Sequence, residues 1–506
     1  MANENNIEIE SKVPNMKVGL GEKIGYSLGD ASANLVFQMM MIFQLKFYTD
    51  IFGLDGAIAG SVLLIARIVD AFVDPAVGIL SDKTETKWGK YRPWVLWSAL
   101  PFAVFYVLAF YNPGIEDKGM VALYATISYI LLMTMYSINN TPYSSLGGVM
   151  SSDIRERTSI TSIRFVASTI AQFVVQGLTL PLVNKFGNGD EAHGWLCTIG
   201  LFACVGFVFL VIAFLSTKER ITPPPAQESN VMADVKETFK SNPWKAMFVL
   251  TLFVFITLAV WGSAMSFYFQ SNIDQAALYG FIEKCGLADI EGTRTGVGAS
   301  ILGAFNLIAH SQADAYSIGF SLFNMIGAIV QFLGVILLSE FLANRYGKKR
   351  VFVICLSLTA FFTACFYLPE PTDVTSIYLL CVLKSLAYAP TVPLLWAMIG
   401  DVADHVEYVS GRRATGFCFS GVVFALKAGL GIGGAFAGII LSSFGYVGGA
   451  AIQSASAIEG IRLVSSVIPA VLFAIGVVAL FFYPITKEYN EKMQAELTLR
   501  RAQNNQ

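Results

Sequence analysis

Apolar blocks of about 20 residues recur along the whole chain, and this repetition limits what the chain can fold into more than any other feature. A block of that length crosses the hydrocarbon core of a bilayer as one α-helix. Of the 506 residues, 55% are hydrophobic and only 14% are charged. Soluble domains carry about 25% charged residues, so this chain lacks the charge to cover such surfaces. The sequence therefore predicts an all-α integral membrane protein.

The apolar blocks form two groups of six, which predicts 12 transmembrane helices arranged as two six-helix halves. The predicted spans are residues 24–49, 56–82, 92–112, 119–145, 158–184, 195–216, 245–272, 314–343, 350–369, 374–405, 414–444 and 459–485. The predicted organisation is an N-terminal tail (1–23), an N-terminal half (24–216), a linker (217–244), a C-terminal half (245–485) with an external insert (273–313), and a C-terminal tail (486–506). The sequence of the insert indicates no function.

Lysine and arginine are concentrated in alternate loops. Residues 83–92 and 345–350 are strongly basic, whereas the loops on the opposite side are short or acidic. Basic loops stay on the cytoplasmic side of a membrane. We therefore expect a multi-pass protein of the plasma (inner) membrane, with both termini and the linker in the cytoplasm.

Two similar segments, ILSDKTETKWGKYR (79–92) and LSEFLANRYGKKR (338–350), close the second and the eighth span. A separation of six spans is expected when two six-helix halves are related by a pseudo-twofold axis along the membrane normal. Such internal repeats are common in secondary transporters, so the pattern favours that class of protein.

The sequence carries no sign of enzymatic or nucleic-acid chemistry. The net charge is −2, which gives no basic surface for nucleic acid. There is no phosphate-binding loop, nucleophile elbow or HExxH motif, and the three His have no metal-ligand companions at suitable spacing. We expect no catalysis and no cofactor other than a co-transported ion, with a small solute, a monovalent cation and the lipid bilayer as partners.

The second span carries Arg67, Asp70 and Asp74, which share one helix face because they are spaced i, i+3 and i+7. A charged group in a bilayer costs at least about 2.5 kcal/mol, so such groups are usually paired or face a cavity. A bound Na⁺, a proton on one Asp, or Arg67 would relieve the repulsion between the two carboxylates. We predict a cation-binding site at Asp70 and Asp74; the alternative is a purely structural Arg–Asp network.

Lys427 is a lone cation in the Gly-rich eleventh span. Glycine permits close helix approach, and Asp70 or Asp74 is the natural partner of Lys427 if the second and eleventh spans face each other. We predict that Arg67 and Lys427 form a charge network around the two aspartates. The alternative is a lysine that extends to the membrane surface, which its distance from both ends of the span disfavours.

Polar side chains in the first and fourth spans predict a site for a hydroxyl-rich ligand. Asp30 and Asn34 are spaced i, i+4 and share one face. Asn140 and Tyr143 flank Pro142, which leaves a carbonyl one turn back without its usual hydrogen bond. The alternative for each of these residues is polar packing between helices.

The fifth and tenth spans contribute the remaining candidates. Arg164 is either an interfacial anchor or a cation that faces the ligand, and Trp396 either stacks on a sugar ring or packs. Both belong to the predicted substrate site. Asp401, Asp404 and Arg412 lie at and just beyond the end of the tenth span and are predicted to form a gating charge cluster.

Several motifs follow one another in a fixed order. They are GDASAN (29–34), FYTDIFGLDGAIAGSVLLIARIVDAFVDPAVGILSDKTETKWGKYRPW (47–94), NNTPYSSLGGVMSSDIRERTSITSIRF (139–165), WAMIGDVADHVEY (396–408) and the helix that carries Lys427. Together they resemble the glycoside–pentoside–hexuronide:cation symporter family, the family of the melibiose permease within the major facilitator superfamily. The resemblance covers nearly the whole chain except the tails, the linker and the insert, and it implies the fold of that superfamily.

The resemblance also implies roles for single residues. Asp70 and Asp74 match the cation-site carboxylates of the family. Ser137 falls where the melibiose permease has a cation-site Thr, and Lys427 matches a lysine near that site. Arg164 matches an arginine near the sugar.

The substrate is left open by a departure from the family pattern. Asn34 and Asn140 fall where the melibiose permease uses Asp to bind galactosides. The loss of two acids lowers the repulsion toward an anionic sugar, so a hexuronide and a neutral glycoside or pentoside both stay open. The resemblance implies a sugar symporter driven by Na⁺ or H⁺ that works by alternating access. A monomer is sufficient for this mechanism, and we expect one. The alternative is a sugar uniporter or a non-transporting membrane sugar sensor.

Overall fold

The computed structural model describes residues 17–151, 153–221, 236, 238–289, 297–411, 415–450 and 452–504. Regular structure in these residues is almost wholly helical, since apolar runs in lipid satisfy their backbone hydrogen bonds only within helices or closed barrels. The helices are α1 (Leu20–Ile42), α2 (Gly56–Asp82), α3 (Arg92–Ala109), α4 (Lys118–Val149), α5 (Ile154–Gly187), α6 (Glu191–Ser216), α7 (Asn242–Ser271), α8 (Gln275–Lys284), α9 (Val297–Ala304), α10 (Ala315–Tyr346), α11 (Lys348–Cys365), α12 (Val374–Tyr388), α13 (Thr391–Ser410), α14 (Thr415–Ser443), α15 (Ala455–Ser465), α16 (Val467–Phe481) and α17 (Lys487–Asn504).

Ten helical stretches among the described residues are long and apolar enough to cross a membrane. The other two predicted spans are also helical, as α1 and α11. Polar residues lower their hydropathy, because Asp30, Asn34 and Gln38 interrupt α1 and three basic residues open α11 at 348–350. All twelve predicted spans are thus helices, six before the linker and six after it.

Four aspartates in the short loops opposite the basic ones cap helices. Asp55, Asp117, Asp190 and Asp373 each accept a hydrogen bond from a backbone N–H in the first turn of α2, α4, α6 and α12. These N–H groups have no partner within the helix, and a carboxylate also complements the positive end of the helix dipole. A cap of this kind contributes about 0.5–2 kcal/mol, so the acidity of these loops has a structural use.

Three predicted spans are interrupted. In the first, 24–49, α1 ends at Ile42, and a short helix (Gln44–Lys46) and a π-helix (Phe47–Ile51) follow the turn at Phe43. The tenth, 374–405, consists of α12 and α13, because Pro390 has no backbone N–H to continue the helix between them. The twelfth, 459–485, consists of α15 and α16, between which Ser466 leaves helical geometry with φ −135° and ψ −80°. The interruptions of the tenth and twelfth spans lie in the C-terminal half.

The two halves meet along α2 and α14, which run antiparallel. A Cβ atom on Gly438 of α14 would lie 2.1 Å from the carbonyl oxygen of Gly56 of α2, so only glycine permits this approach. Farther along, Gly431 lies against the side chain of Arg67. We call the end of the bundle where α1 begins and α17 lies the terminal face, and the opposite end, where Gly56 meets Gly438, the far face.

The insert lies at the far face and contains α8 and α9. It follows α7 in the sequence and so belongs to the C-terminal half, but it also contacts α5 of the N-terminal half. Asn306 Nδ2 donates a hydrogen bond of 3.2 Å to the carbonyl oxygen of Pro181, and Lys185 Nζ donates to that of Ala304. The insert therefore links the two halves.

Candidate functional site

The two aspartates of α2 meet Lys427 of α14 between the halves. Lys427 Nζ donates a hydrogen bond of 3.0 Å to Asp70 Oδ2 and another to Asp74 Oδ2. One ammonium group reaches both carboxylates because residues four apart lie one above the other on a helix. A single lysine from the C-terminal half therefore neutralises part of the charge of an acidic pair in the N-terminal half.

Two hydroxyl groups of α4 complete this cluster. Ser137 Oγ donates to Asp70 Oδ1, and Thr141 Oγ1 donates to Asp74 Oδ1 over 3.4 Å. Ser137 and Thr141 are four residues apart, so they present one face of α4 to α2. The sequence reasoning missed Thr141, although its spacing from Ser137 was a readable signal.

The chemistry of the cluster suits a small hard cation. Two carboxylates and two hydroxyls offer the oxygen atoms that hard cations take as ligands, and a proton needs one carboxylate. Among the described residues no group of three or more His, Cys, Asp or Glu is close enough to hold a metal ion. Na⁺ at this position would therefore depend on Asp70 and Asp74 together with neighbouring hydroxyls.

The cluster is buried on one side and open on the other. The side chain of Asp70 has 0% exposure, whereas those of Asp74 and Lys427 keep 26% and 21%. Charged groups at membrane depth face the interior of the bundle or a water-filled cavity. Solvent therefore reaches this cluster through Asp74 and Lys427.

Arg67 does not pair with the acids that share its helix. It is 8% exposed and makes no ion pair with any described residue. Its side chain lies against Gly431 and borders a small cavity together with Tyr129. Of the two predicted network cations, Lys427 is the one in contact with the carboxylates.

Residues of α1 and α5 form a second polar region. Arg164 Nε lies 3.5 Å from Asp30 Oδ2. Asn34 Nδ2 donates to the carbonyl oxygen of Asp30 at 2.9 Å, and Asn34 Oδ1 accepts from Gln172 Nε2 at 3.5 Å. The structure thus brings three of the predicted substrate residues together and adds Gln172, which sequence reasoning missed.

Tyr143 packs against α1 in this conformation. Its ring stacks on that of Tyr26 with a centroid distance of 4.6 Å, and its hydroxyl donates to the carbonyl oxygen of Tyr26 at 2.6 Å. It is 1% exposed, and Gly29 leaves the space that its ring occupies. Tyr143 therefore joins α4 to α1 and presents no free hydroxyl to a ligand.

The remaining predicted substrate residues are more accessible. Asn140 is half-buried, and its side chain makes no hydrogen bond within the described part of the chain. Trp396 is 40% exposed, and the side chain of Arg164 is 36% exposed. These three side chains offer an amide, an indole ring and a guanidinium group, which are groups that bind hydroxylated and anionic ligands.

The far face is closed by contacts between the halves. Lys46, which follows α1, pairs with Asp50 at 2.6 Å and also donates to Gln270 of α7. Asp50 accepts a hydrogen bond of 2.9 Å from Tyr446, which follows α14. These groups cross from one half to the other and close the far face. Asp74, the more exposed of the two aspartates, lies one turn nearer the terminal face than Asp70, so the cluster is more exposed on that side.

The predicted gating residues lie at the terminal face. Asp401 is 7% exposed and binds Lys348 Nζ at 2.7 and 2.8 Å through its two oxygens. Asp404 accepts a hydrogen bond of 2.7 Å from Gln494 of α17. Arg412, the predicted cation of this cluster, lies outside the described residues, so Lys348 is the cation that the structure places on Asp401.

A known protein family matches nearly the whole chain. The family described as MFS/sugar transport protein matches residues 25–288 and 295–487. Its two matched regions include α2, α4 and α14, which carry the acidic cluster and Lys427.

Several curated relatives match over nearly their full length. The inner membrane symporter YicJ of Escherichia coli (strain K12) is 32% identical over 92% of both chains. The putative glycoside/cation symporter YagG of the same organism is 31% identical over 95% of both chains. The isoprimeverose transporter of Lactiplantibacillus pentosus is 31% identical over 96% of this chain and 92% of its own. These relatives confirm the resemblance drawn from the motifs.

Solved structures share the architecture at low identity. A bacterial homolog of the human lysosomal transporter Spinster superposes with a TM-score of 0.61 at 14% identity, covering 93% of this chain and 97% of its own. The nucleoside transporter NupG gives a TM-score of 0.58 at 16% identity, covering 92% of this chain and 100% of its own. At this identity the likeness concerns the fold alone, and together with the family match it confirms the predicted fold of the major facilitator superfamily.

Proposed function

Because the chain belongs to the MFS/sugar transport protein family, and is therefore a membrane sugar transporter rather than an enzyme, we propose that it is a sugar:cation symporter that works by alternating access. In this proposal Na⁺ or H⁺ binds at Asp70 and Asp74, and a sugar binds between α1, α4, α5, α13 and α14. The relatives named as symporters support the coupling to a cation.

The observation that carries the proposal is the contact of one lysine with two carboxylates across the interface. Lys427 occupies the position where a cation would approach Asp70 and Asp74. A Na⁺ ion or a proton at the aspartates competes with this lysine and weakens a contact between α2 and α14. Cation binding thereby changes the relative free energy of the conformations of the two halves, which is what coupling requires.

The sugar site is proposed from the accessible polar residues. Arg164 with Asp30, Asn34 and Asn140 offer donors and acceptors for hydroxyl groups, and Trp396 offers a ring face. A family relative is named an isoprimeverose transporter and another a glycoside/cation symporter, which supports a glycoside as the ligand class.

Localisation follows from the basic loops and the family. We propose a monomer in the plasma (inner) membrane whose terminal face lies in the cytoplasm. The basic segments 83–92 and 345–350 fall at the terminal face, which supports this orientation. In this orientation the central cluster opens toward the cytoplasm.

The test is uptake of labelled glycosides and uronides into proteoliposomes under an imposed Na⁺ or H⁺ gradient. We expect Asp74→Asn to abolish accumulation above equilibrium, because an amide neither carries the charge nor takes the proton that the cation site requires. Exchange of labelled for unlabelled sugar without a gradient should persist.

The matched control is Asp117→Asn, which makes the same chemical change at a helix cap, where Asn serves as well as Asp. It should accumulate sugar as the unmodified protein does. Undiminished accumulation by Asp74→Asn would refute the cation site. Sugar entry that responds to neither gradient would identify a uniporter, and sugar binding without any entry would identify a sensor.

A further inference from the structure

A second lysine lies deep in the C-terminal half and has not entered the proposed mechanism. Lys384 is on α12 and is 6% exposed. Its Nζ lies 3.0 Å from the centroid of the Trp261 ring, which belongs to α7. The rings of Phe323 and Phe366 pack on Trp261 with centroid distances of 6.1 and 6.2 Å. The ammonium group therefore lies on one ring of an aromatic cluster inside the helix bundle.

Neither polar group of this pair has an acceptor. Lys384 makes no ion pair or hydrogen bond with any described residue. The indole Nε1 of Trp261 is buried and donates to no described residue. The contact with the ring offsets part of the cost of burying the charge, but a buried ammonium group and a buried indole N–H are usually satisfied by an acceptor.

Three other cations near the centre already have carboxylate partners, and Arg67, which has none among the described residues, lies against Gly431. Lys427 binds Asp70 and Asp74, Arg164 lies beside Asp30, and Lys46 lies beside Asp50. An anionic group that entered the site would compete with a carboxylate of the protein at each of these positions. At Lys384 no such competition exists among the described residues.

We infer that Lys384 and Trp261 form a binding site for a carboxylate group of the transported sugar. A carboxylate has two oxygens, so one accepts from the ammonium group and the other from the indole N–H. This inference rests on the proposed function, because the ligand is the sugar that the protein moves. It makes the substrate a sugar acid. The co-transported cation then binds to the N-terminal half, and the carboxylate of the sugar binds to the C-terminal half.

The test measures binding to the purified protein, without any ion gradient. Matched ligands that differ in one group are titrated by calorimetry: methyl β-D-glucuronide against methyl β-D-glucoside, and galacturonate against galactose. We expect Lys384→Met to weaken the binding of the acids by about 10- to 100-fold, since a hydrogen bond to a charged group is lost. The affinity for the neutral sugars should change by less than about 2-fold, because they make no such bond.

Two further variants separate a binding role from a structural one. Lys384→Arg keeps the charge and should retain most of the preference for the acids. Trp261→Phe keeps the ring and removes the N–H, so it should weaken the acids alone, and it tests the site if Lys384→Met does not fold. Lys284→Met removes an exposed lysine from α8 and serves as the matched control, with no change in either affinity.

Three results would overturn the inference. They are an equal loss of affinity for acids and neutral sugars in Lys384→Met, a preference of the unmodified protein for the neutral member of every pair, and no binding of either acid. Failure of the symport proposal is distinguishable, because it appears as accumulation that ignores Na⁺ and H⁺ gradients, which this binding assay does not use.

Discussion

The two ends of the interface between the halves are built differently. At the far face, Lys46 and Asp50, just beyond α1, contact Gln270 and Tyr446 of the other half, and Gly438 packs on the backbone of α2. At the terminal face, the described ion pairs join elements of the same half. Glu22 of α1 pairs with Arg220, which follows α6 at the start of the linker, and Lys348 pairs with Asp401 in the C-terminal half.

This difference indicates which contacts change when the halves rock. Bonds within one half survive a rigid-body movement of that half, whereas bonds between halves have to break. Substitutions at the far face should therefore shift the balance between conformations, and substitutions at the terminal face should leave it unchanged. The common measurement is labelling of a cysteine at Ser442 by a maleimide added from the far side, in a background where Cys204 and Cys285 are Ser.

The largest effect is expected for Lys46→Met. The side chains of Lys46 and Asp50 are 6% and 5% exposed, so the change leaves a buried carboxylate without its cation. A buried carboxylate that has lost its cation costs about 3–5 kcal/mol. The cost falls on the conformation that is closed at the far face, because Gln270 and Tyr446 of the other half cover Lys46 and Asp50 only there. We expect labelling at Ser442→Cys to increase by about 100-fold or more. The double variant with Asp50→Asn should reverse much of the increase in labelling. Unchanged labelling of the single variant would show that Lys46 does not hold the far face closed.

A smaller effect is expected for Gly438→Ala. The added methyl group collides with the carbonyl oxygen of Gly56, and overpacking of this kind costs about 1–3 kcal/mol. Labelling from the far side should therefore increase by about 5- to 150-fold. Gly78→Ala is the matched control, since nothing lies within 4 Å of a Cβ atom there. Equal labelling of the two alanine variants would show that the close approach of α2 and α14 does not hold the far face closed.

The smallest effect is expected for Arg220→Gln at the terminal face. Hydrogen bonds from this guanidinium to Glu22 raise the pKa of Arg220. Arg220 lies at the start of the linker, and its backbone N–H donates to the carbonyl oxygen of Val149, so among the described residues the pair makes no hydrogen bond with the C-terminal half. Loss of such a partly exposed pair costs about 0–1 kcal/mol of stability in either conformation. A slightly lower unfolding temperature with unchanged labelling is the expected result. Labelling that increases as it does in Lys46→Met would mean that the terminal pairs also distinguish the conformations.

The helices and the central ion pairs were predictable from the sequence for physical reasons. Apolar length sets the spans, and the cost of an unpaired charge in a membrane required a partner for Lys427. The same reasoning identifies Lys384, a lone lysine in an apolar span, as a charge that needs a partner. It was also expected that Arg67 would take part in the network, and the structure places it against Gly431 instead.

Other features depended on distances that a sequence does not contain. Tyr143 was assigned to the sugar site, but the helix face it occupies turns it toward Tyr26. The partner of Asp401 is Lys348, which lies 53 positions away and on another helix. Both outcomes follow from how helices rotate and pack against one another, which composition and spacing along one helix do not determine.

The link between the insert and α5 has a kinetic consequence. Lys185 and Asn306 join the two halves at the far face, so opening this face requires both hydrogen bonds to break. In many transporters and enzymes a conformational step of this kind, rather than ligand binding, limits turnover. The insert would then slow the opening of the far face in each transport cycle. The time that this face stays closed would depend partly on a segment that contacts neither ion nor sugar.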